Sequence, residues 1–108
     1  MTESEFIDLI ESDFSKLEYA LDEVDAELDY ELSGGVLTLQ FENGSSIIFS
    51  RQRPTRQLWL AARSGGFHFE YDEGVQDWRD TRSGELFRPF VVALMKSQGS
   101  VDFAWLEA

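Results

Sequence analysis

The apolar residues of this chain repeat with one period up to residue 24 and with another from residue 27. That switch limits the fold more than any other feature. Phe6, Ile10, Phe14, Leu17, Leu21 and Val24 recur at steps of three and four, which places them on one face of an α-helix. The pattern predicts a helix from residue 3 to about 24, capped by Thr2 or Ser4. From residue 27, Glu27, Asp29 and Glu31 alternate with Leu28, Tyr30 and Leu32. A period of two is that of a strand, whose successive side chains point to opposite faces.

Alternation then continues through a series of short strands. Gly34-Gly35 makes a turn into residues 36–42, with Leu37, Leu39 and Phe41 inward and Thr38, Gln40 and Glu42 outward. Asn43-Gly44 is the strongest hairpin signal in the chain, and residues 46–51 return from it. After Pro54, Leu58, Leu60 and Ala62 lie opposite Gln57, Trp59 and Ala61. Gly65-Gly66 is expected to turn into Phe67, Phe69 and Tyr71, which alternate with His68, Glu70 and Asp72. A short strand is expected near Gln76–Arg79.

Residues 85–98 read as a second helix, with Leu86, Phe90 and Leu94 on its apolar face, joined by Phe87 and Val91. Pro89 is tolerated only in a first turn, and Gly99 is expected to stop the helix. Val101, Phe103 and Trp105 are too apolar to stay in water and should pack back between the helices. Tight turns between consecutive strands imply an antiparallel sheet with both helices on one face. The expected class is α+β, a two-layer sandwich with about six strands, forming one domain over residues 1–108.

Charge narrows the function. The net charge is −12, the wrong sign for binding phosphates or an anionic membrane surface. Twelve of the 21 acidic residues lie in the first 31 positions, and Lys16 is the only basic residue before Arg51. Two carboxylates about 7 Å apart in water repel by roughly 0.6 kcal/mol. Such a cluster costs a fold stability, which points to solubility or a cationic partner. Acids in the first helical turn suit the helix dipole, whereas Asp22 and Glu23 at its other end oppose it. Asp8, Glu11, Glu18 and Asp22 share a second stripe beside the apolar one.

There is no cysteine. This excludes disulfides, a thiolate nucleophile and direct thiolate ligation of an iron–sulfur cluster. It also fits a reducing cytoplasm, the expected location. The first residues show no basic and apolar leader pattern, and no apolar run approaches membrane-spanning length.

The stretch GGVLTLQFENGS at 34–45 resembles the frataxin family, specifically its bacterial CyaY-type members. RQRPTRQLWLAARSGGFHFEYDEG at 51–74, DTRSGELF at 80–87 and the SEF start at 4–6 continue the match. The resemblance covers nearly the whole chain. It implies an α/β sandwich that binds iron, Fe2+ or Fe3+, weakly and exchangeably through carboxylates of the first helix and strand. It also implies docking on the cysteine desulfurase of iron–sulfur cluster assembly, together with its scaffold protein, and modulation of cluster formation. Carried over residue by residue, the metal ridge is Glu18, Asp22, Glu23, Asp25, Glu27, Asp29 and Glu31. The partner contacts are Glu18, Asp22, Glu23, Asp25, Gln52 and Trp59. The family further implies a metal-free monomer and iron-driven oligomers. Three positions depart from the pattern: Tyr19 where a second carboxylate is common, Ile7 in place of a frequent His, and Ser50 in place of Asn. The first two argue against a tight N-terminal metal site.

Each candidate has a plainer reading. The ridge is otherwise a solvated charged face. Carboxylate oxygens suit iron, Mn2+, Ca2+ or Mg2+, but no histidine lies among them and no EF-hand loop is present. Asp22 and Glu23 could converge with Asp25 and the strand acids, but on open elements and without a histidine they predict weak, plural, exchangeable ion binding. Trp59 is expected on the polar sheet face near Gln52, Gln57, Thr38 and Gln40, where a tryptophan suits a binding hot spot; ordinary cross-strand packing is the alternative. Trp78 and Trp105 read as packing residues. His68, the only histidine, shares the exposed face with Glu70 and reads as a surface residue. No catalytic constellation or phosphate loop is present, so the chain is not expected to be an enzyme, with weak iron oxidation not its main role. The leading reading is a regulator and iron donor in cluster assembly; the alternative is an iron buffer or oxidising storage protein acting through the ridge alone.

Overall fold

The computed structural model describes residues 1–103 and 105. The elements are α1 (Glu3–Asp22), β1 (Leu28–Ser33), β2 (Val36–Phe41), β3 (Ser46–Gln52), β4 (Gln57–Ala62), β5 (Gly65–Asp72), β6 (Asp77–Asp80) and α2 (Phe87–Gly99). Six antiparallel strands pair in sequence order, β1-β2-β3-β4-β5-β6. The helices cover one face and leave the other open, which is the two-layer α+β sandwich expected from the sequence.

α1 begins on a capping box. Glu5 N donates to Thr2 Oγ1 at 3.1 Å, and Thr2 N donates back to Glu5 Oε1 at 2.9 Å. These bonds satisfy amides that the first helical turn leaves without partners, and they hold the Glu5 carboxyl below its usual range. The buried stripe is Phe6, Ile10, Phe14, Leu17 and Leu21. The helix ends at Asp22, two residues short of expectation, and Val24 is only half-buried.

The turns follow their chemistry with one exception. Gly34 and Gly35, at φ 59° and 79°, form the two-residue β1–β2 loop, whose primed turn requires positive φ at both positions. The Asn43 hairpin is a three-residue loop, with Gly44 N donating to Phe41 O at 3.0 Å and Gly44 at φ 87°. The β4–β5 turn falls on Arg63-Ser64, not Gly65-Gly66, because Ala62 pairs with Gly65 and both glycines already belong to β5.

Inward residues of the central strands form the core with both helices. Phe6 of α1 meets Trp78 of β6 edge-on at 5.8 Å, while Phe87 of α2 packs on Phe49 and Phe69 at 5.9 and 5.1 Å. Each such side chain, once fully buried, contributes about 1.5–3 kcal/mol. The buried face of α2 is Phe87, Val91, Leu94, Met95 and Gln98. Leu86 and Phe90, assigned to that face from spacing, are only half-buried; seating Phe87 on two sheet aromatics sets the helix phase. Gly99 is the last helical residue and does not stop the helix. Ser100 takes the left-handed cap at φ 55°. Val101, Phe103 and Trp105 are buried, with Trp105 edge-on to Phe87 at 5.5 Å.

Candidate functional site

The N-terminal acidic block divides in the folded chain. Arg53 Nη2 lies 2.7 Å from Glu3 Oε1, and Arg51 Nη1 lies 4.0 Å from Glu11 Oε1. Arg51 of β3 and Arg53, just after that strand, thus face acids of the early helix. Asp13 is 5% exposed and accepts from Trp78 Nε1 at 2.6 Å, with Arg88 Nη2 at 3.4 Å. It joins α1, β6 and α2. Asp13 therefore contradicts the expectation that the acids of this block cost the fold stability.

The remaining acids lie further along. Among the described residues, none of Glu18, Asp22, Glu23, Asp25, Glu27, Asp29 and Glu31 pairs with a basic side chain. Glu18 is half-buried and the other six are exposed. Glu18 and Asp22 stand on α1, and Glu23 is its C-cap residue. Asp25 and Glu27 lie in the connection; Glu27, expected on the strand, precedes it. Asp29 and Glu31 occupy the open face of β1 opposite Gln40 and Thr38. No three acidic or histidine groups among the described residues come together to hold a metal ion. The ridge is a field of hard oxygen donors, not a chelate.

Sequence reading missed two members of this region. Tyr30, a half-buried residue, donates its hydroxyl to Asp22 Oδ1 at 2.5 Å and links α1 to β1. That bond, then burial and the charges of Asp22 and Glu18, push the Tyr30 hydroxyl up to about 12. Glu42 joins Glu27 and Asp29 around an open cleft of about 430 Å³. Its signal was the antiparallel register: the hairpin end of β2 returns to the start of β1, with Leu28 opposite Phe41.

On the open sheet face, Trp59 is half-buried between Ser50 of β3 and His68 of β5. Its indole stacks on the imidazole, with centroids 4.3 Å apart and planes 9° apart. Its Nε1 donates to Gln57 Oε1 at 2.8 Å. Gln52 is near through Ser50, to whose Oγ it donates at 2.9 Å. Thr38 and Gln40, expected beside Trp59, sit on β2 beyond β3. By register, Glu31, Thr38, Ile48 and Ala61 cross the sheet on this same face. Trp59 and the strand acids therefore share one open surface, three strands or about 15 Å apart. Trp78 is fully buried and Trp105 nearly so, as expected.

Asp77 and Asp80 are also buried. Asp77 accepts from Trp78 N at 2.8 Å and Arg88 N at 3.1 Å, capping α2 from a neighbouring strand. Burial pushes its carboxyl above the usual range. Asp80 accepts from Arg82 N and Ser83 Oγ in the following turn. No helix among the described residues is long and apolar enough to cross a membrane.

A family model, the frataxin-like domain, matches residues 1–100. A Pseudomonas fluorescens (strain Pf0-1) protein named iron-sulfur cluster assembly protein CyaY is 47% identical over 103 residues, spanning 95% of this chain and 94% of its own. Among solved structures, frataxin from Psychromonas ingrahamii superposes with a TM-score of 0.91 at 38% identity, covering 99% of this chain and 100% of that one. Trimeric frataxin from the yeast Saccharomyces cerevisiae, in a ferrous complex, superposes at 0.60 with 27% identity over 91% and 85% of the two chains. Matched over nearly its full length in sequence and in fold, the chain belongs to the frataxin-like family.

Proposed function

We propose that this chain is an iron-binding protein of iron–sulfur cluster assembly that docks its acidic ridge on a cysteine desulfurase and regulates cluster formation. Iron is its cargo, held weakly and exchangeably. The observation that carries this reading is the set of seven ridge acids with no basic partner among the described residues. Exposed carboxylates that do not converge suit hard cations at low affinity, so other divalent ions substitute for iron. The same field steers a basic protein surface and acts on association rate more than on final affinity. The names of the CyaY relatives support the assembly role, and the ferrous complex of yeast frataxin supports iron.

Trp59 supplies a second contact, to the scaffold protein. Because it shares the open face with Asp29 and Glu31, one partner assembly laid across the sheet reaches both. The protein works by binding and not as an enzyme, in the cytoplasm, as a monomer without metal. The trimeric yeast relative supports metal-driven oligomers.

The test is binding to the desulfurase with and without chelator, across a salt series. Binding should persist in chelator and fall steeply with salt, since screening acts over about 8–10 Å. Converting Glu18, Glu23 and Asp25 to Lys should abolish it, with Asp22 kept because it accepts from Tyr30. Reversing exposed Glu73 and Glu85 should leave it intact; Asp77 and Asp80 are too structural to serve as controls. Loss of the complex in chelator at low salt would show a metal bridge instead. Iron uptake without any desulfurase binding would leave only the buffer reading.

A further inference from the structure

The Trp59 indole is held on two sides. One face lies flat on His68 at 4.3 Å, and its N–H is held by Gln57 Oε1 at 2.8 Å. Gln57 is itself oriented, since its Nε2 donates to Glu70 Oε2 at 3.2 Å. On the other side the cross-strand neighbour is Ser50. An exposed tryptophan on a flat sheet would otherwise sample several rotamers, and ordering it on contact would cost affinity.

The geometry points to His68 as the positioning residue of Trp59: it fixes the indole before any partner arrives and makes that hold respond to pH. This rests on the docking role proposed above. Histidine is the side chain whose ordinary titration falls between pH 5 and 8. A neutral imidazole on indole is an offset aromatic stack. A protonated one adds a cation–π attraction to the same contact. Few other charges bear on the ring. β4 presents Gln57, Trp59 and Ala61 to this face, all uncharged. β5 itself adds Glu70, and β6 adds Arg79, which faces Glu70 in register and pairs with Asp72 at 3.0 Å. Beyond β6, Thr81 meets His68 through its backbone N–H only. His68 is the only histidine, so a pH response that H68F abolishes is assigned to it.

The experiment has two arms. In the isolated protein, the emission of the parent minus that of W59F isolates Trp59 from the buried tryptophans. Imidazolium accepts electrons from an excited indole better than imidazole does, so this emission should fall as pH is lowered from 8 to 5.5. H68F keeps a flat ring but cannot titrate, so its difference emission should stay level and its anisotropy stay high. H68A should lose both the pH response and the anisotropy. In the second arm, H68A should weaken binding of the desulfurase–scaffold assembly roughly 3- to 10-fold, and H68F should restore it. The idea is overturned if H68A keeps the parent's anisotropy and affinity, or if H68F keeps the parent's pH response. If W59A leaves complex formation unchanged, the docking reading falls, while the emission arm still decides whether His68 holds the indole.

Discussion

The Tyr30 hydroxyl donates to Asp22 Oδ1 at 2.5 Å, across eight residues of sequence. The bond ties the end of α1 to the edge strand β1 and so sets the spacing of the two elements that carry the ridge. It also favours the protonated phenol, because ionised Tyr30 would face the charges of Asp22 and Glu18.

Alkaline stability follows from that bond. The folded hydroxyl titrates at about 12, against 10.0 ordinarily. A raised folded value means the stabilisation is complete below pH about 10 and is lost as pH climbs through about 12. The parent should lose stability relative to Y30F across that window. Spectrophotometric titration should show one fewer late-ionising phenol in Y30F. Parallel pH–stability curves for the two proteins would refute the link.

Asp13 should behave as a structural residue despite its place in the acidic block. D13A removes the partner of the Trp78 N–H and one partner of Arg88, and breaking a buried charge pair costs about 3–5 kcal/mol. D13N keeps an acceptor for Trp78 and should cost less. Urea midpoints at constant slope measure both. A loss below about 1 kcal/mol in D13A would mean that the contact is not holding the layers together.

The ridge should be a stability liability. Converting Asp25, Asp29 and Glu31 to Asn or Gln relieves several repulsions, each below about 1 kcal/mol. The melting temperature at low salt should rise by about 4–8 °C per kcal/mol gained. Added salt should help the parent more than the variant. Asp22 is kept because it accepts from Tyr30. A lower melting temperature in the variant would assign these acids a structural role.

Gly99 offers a test with an unusual sign. In an ordinary helix, Gly to Ala gains about 1 kcal/mol. Here a Cβ would collide with the Phe41 ring, so G99A should instead cost about 1–3 kcal/mol through overpacking. Thermal denaturation decides it, and a stabilised G99A would show that Phe41 can move aside.

The sequence alone determined the order of elements, the alternating faces along most of the strands, the exposure of six of the seven ridge acids and the open-face position of Trp59. All of these rest on local periodicity, which needs only the pitch of a helix and the pleat of a strand. Tertiary structure decided which acids are structural. Nothing near Asp13 in sequence marks it as buried; its partners Trp78 and Arg88 are 65 and 75 residues away. Asp77 is buried because it caps a helix eleven residues on. The phase of α2, the need for Gly99, the Tyr30–Asp22 bond and the stacking of His68 on Trp59 arise in the same way. A polar group can be buried only where a partner meets it, and that meeting is a property of the folded layers, not of the local pattern.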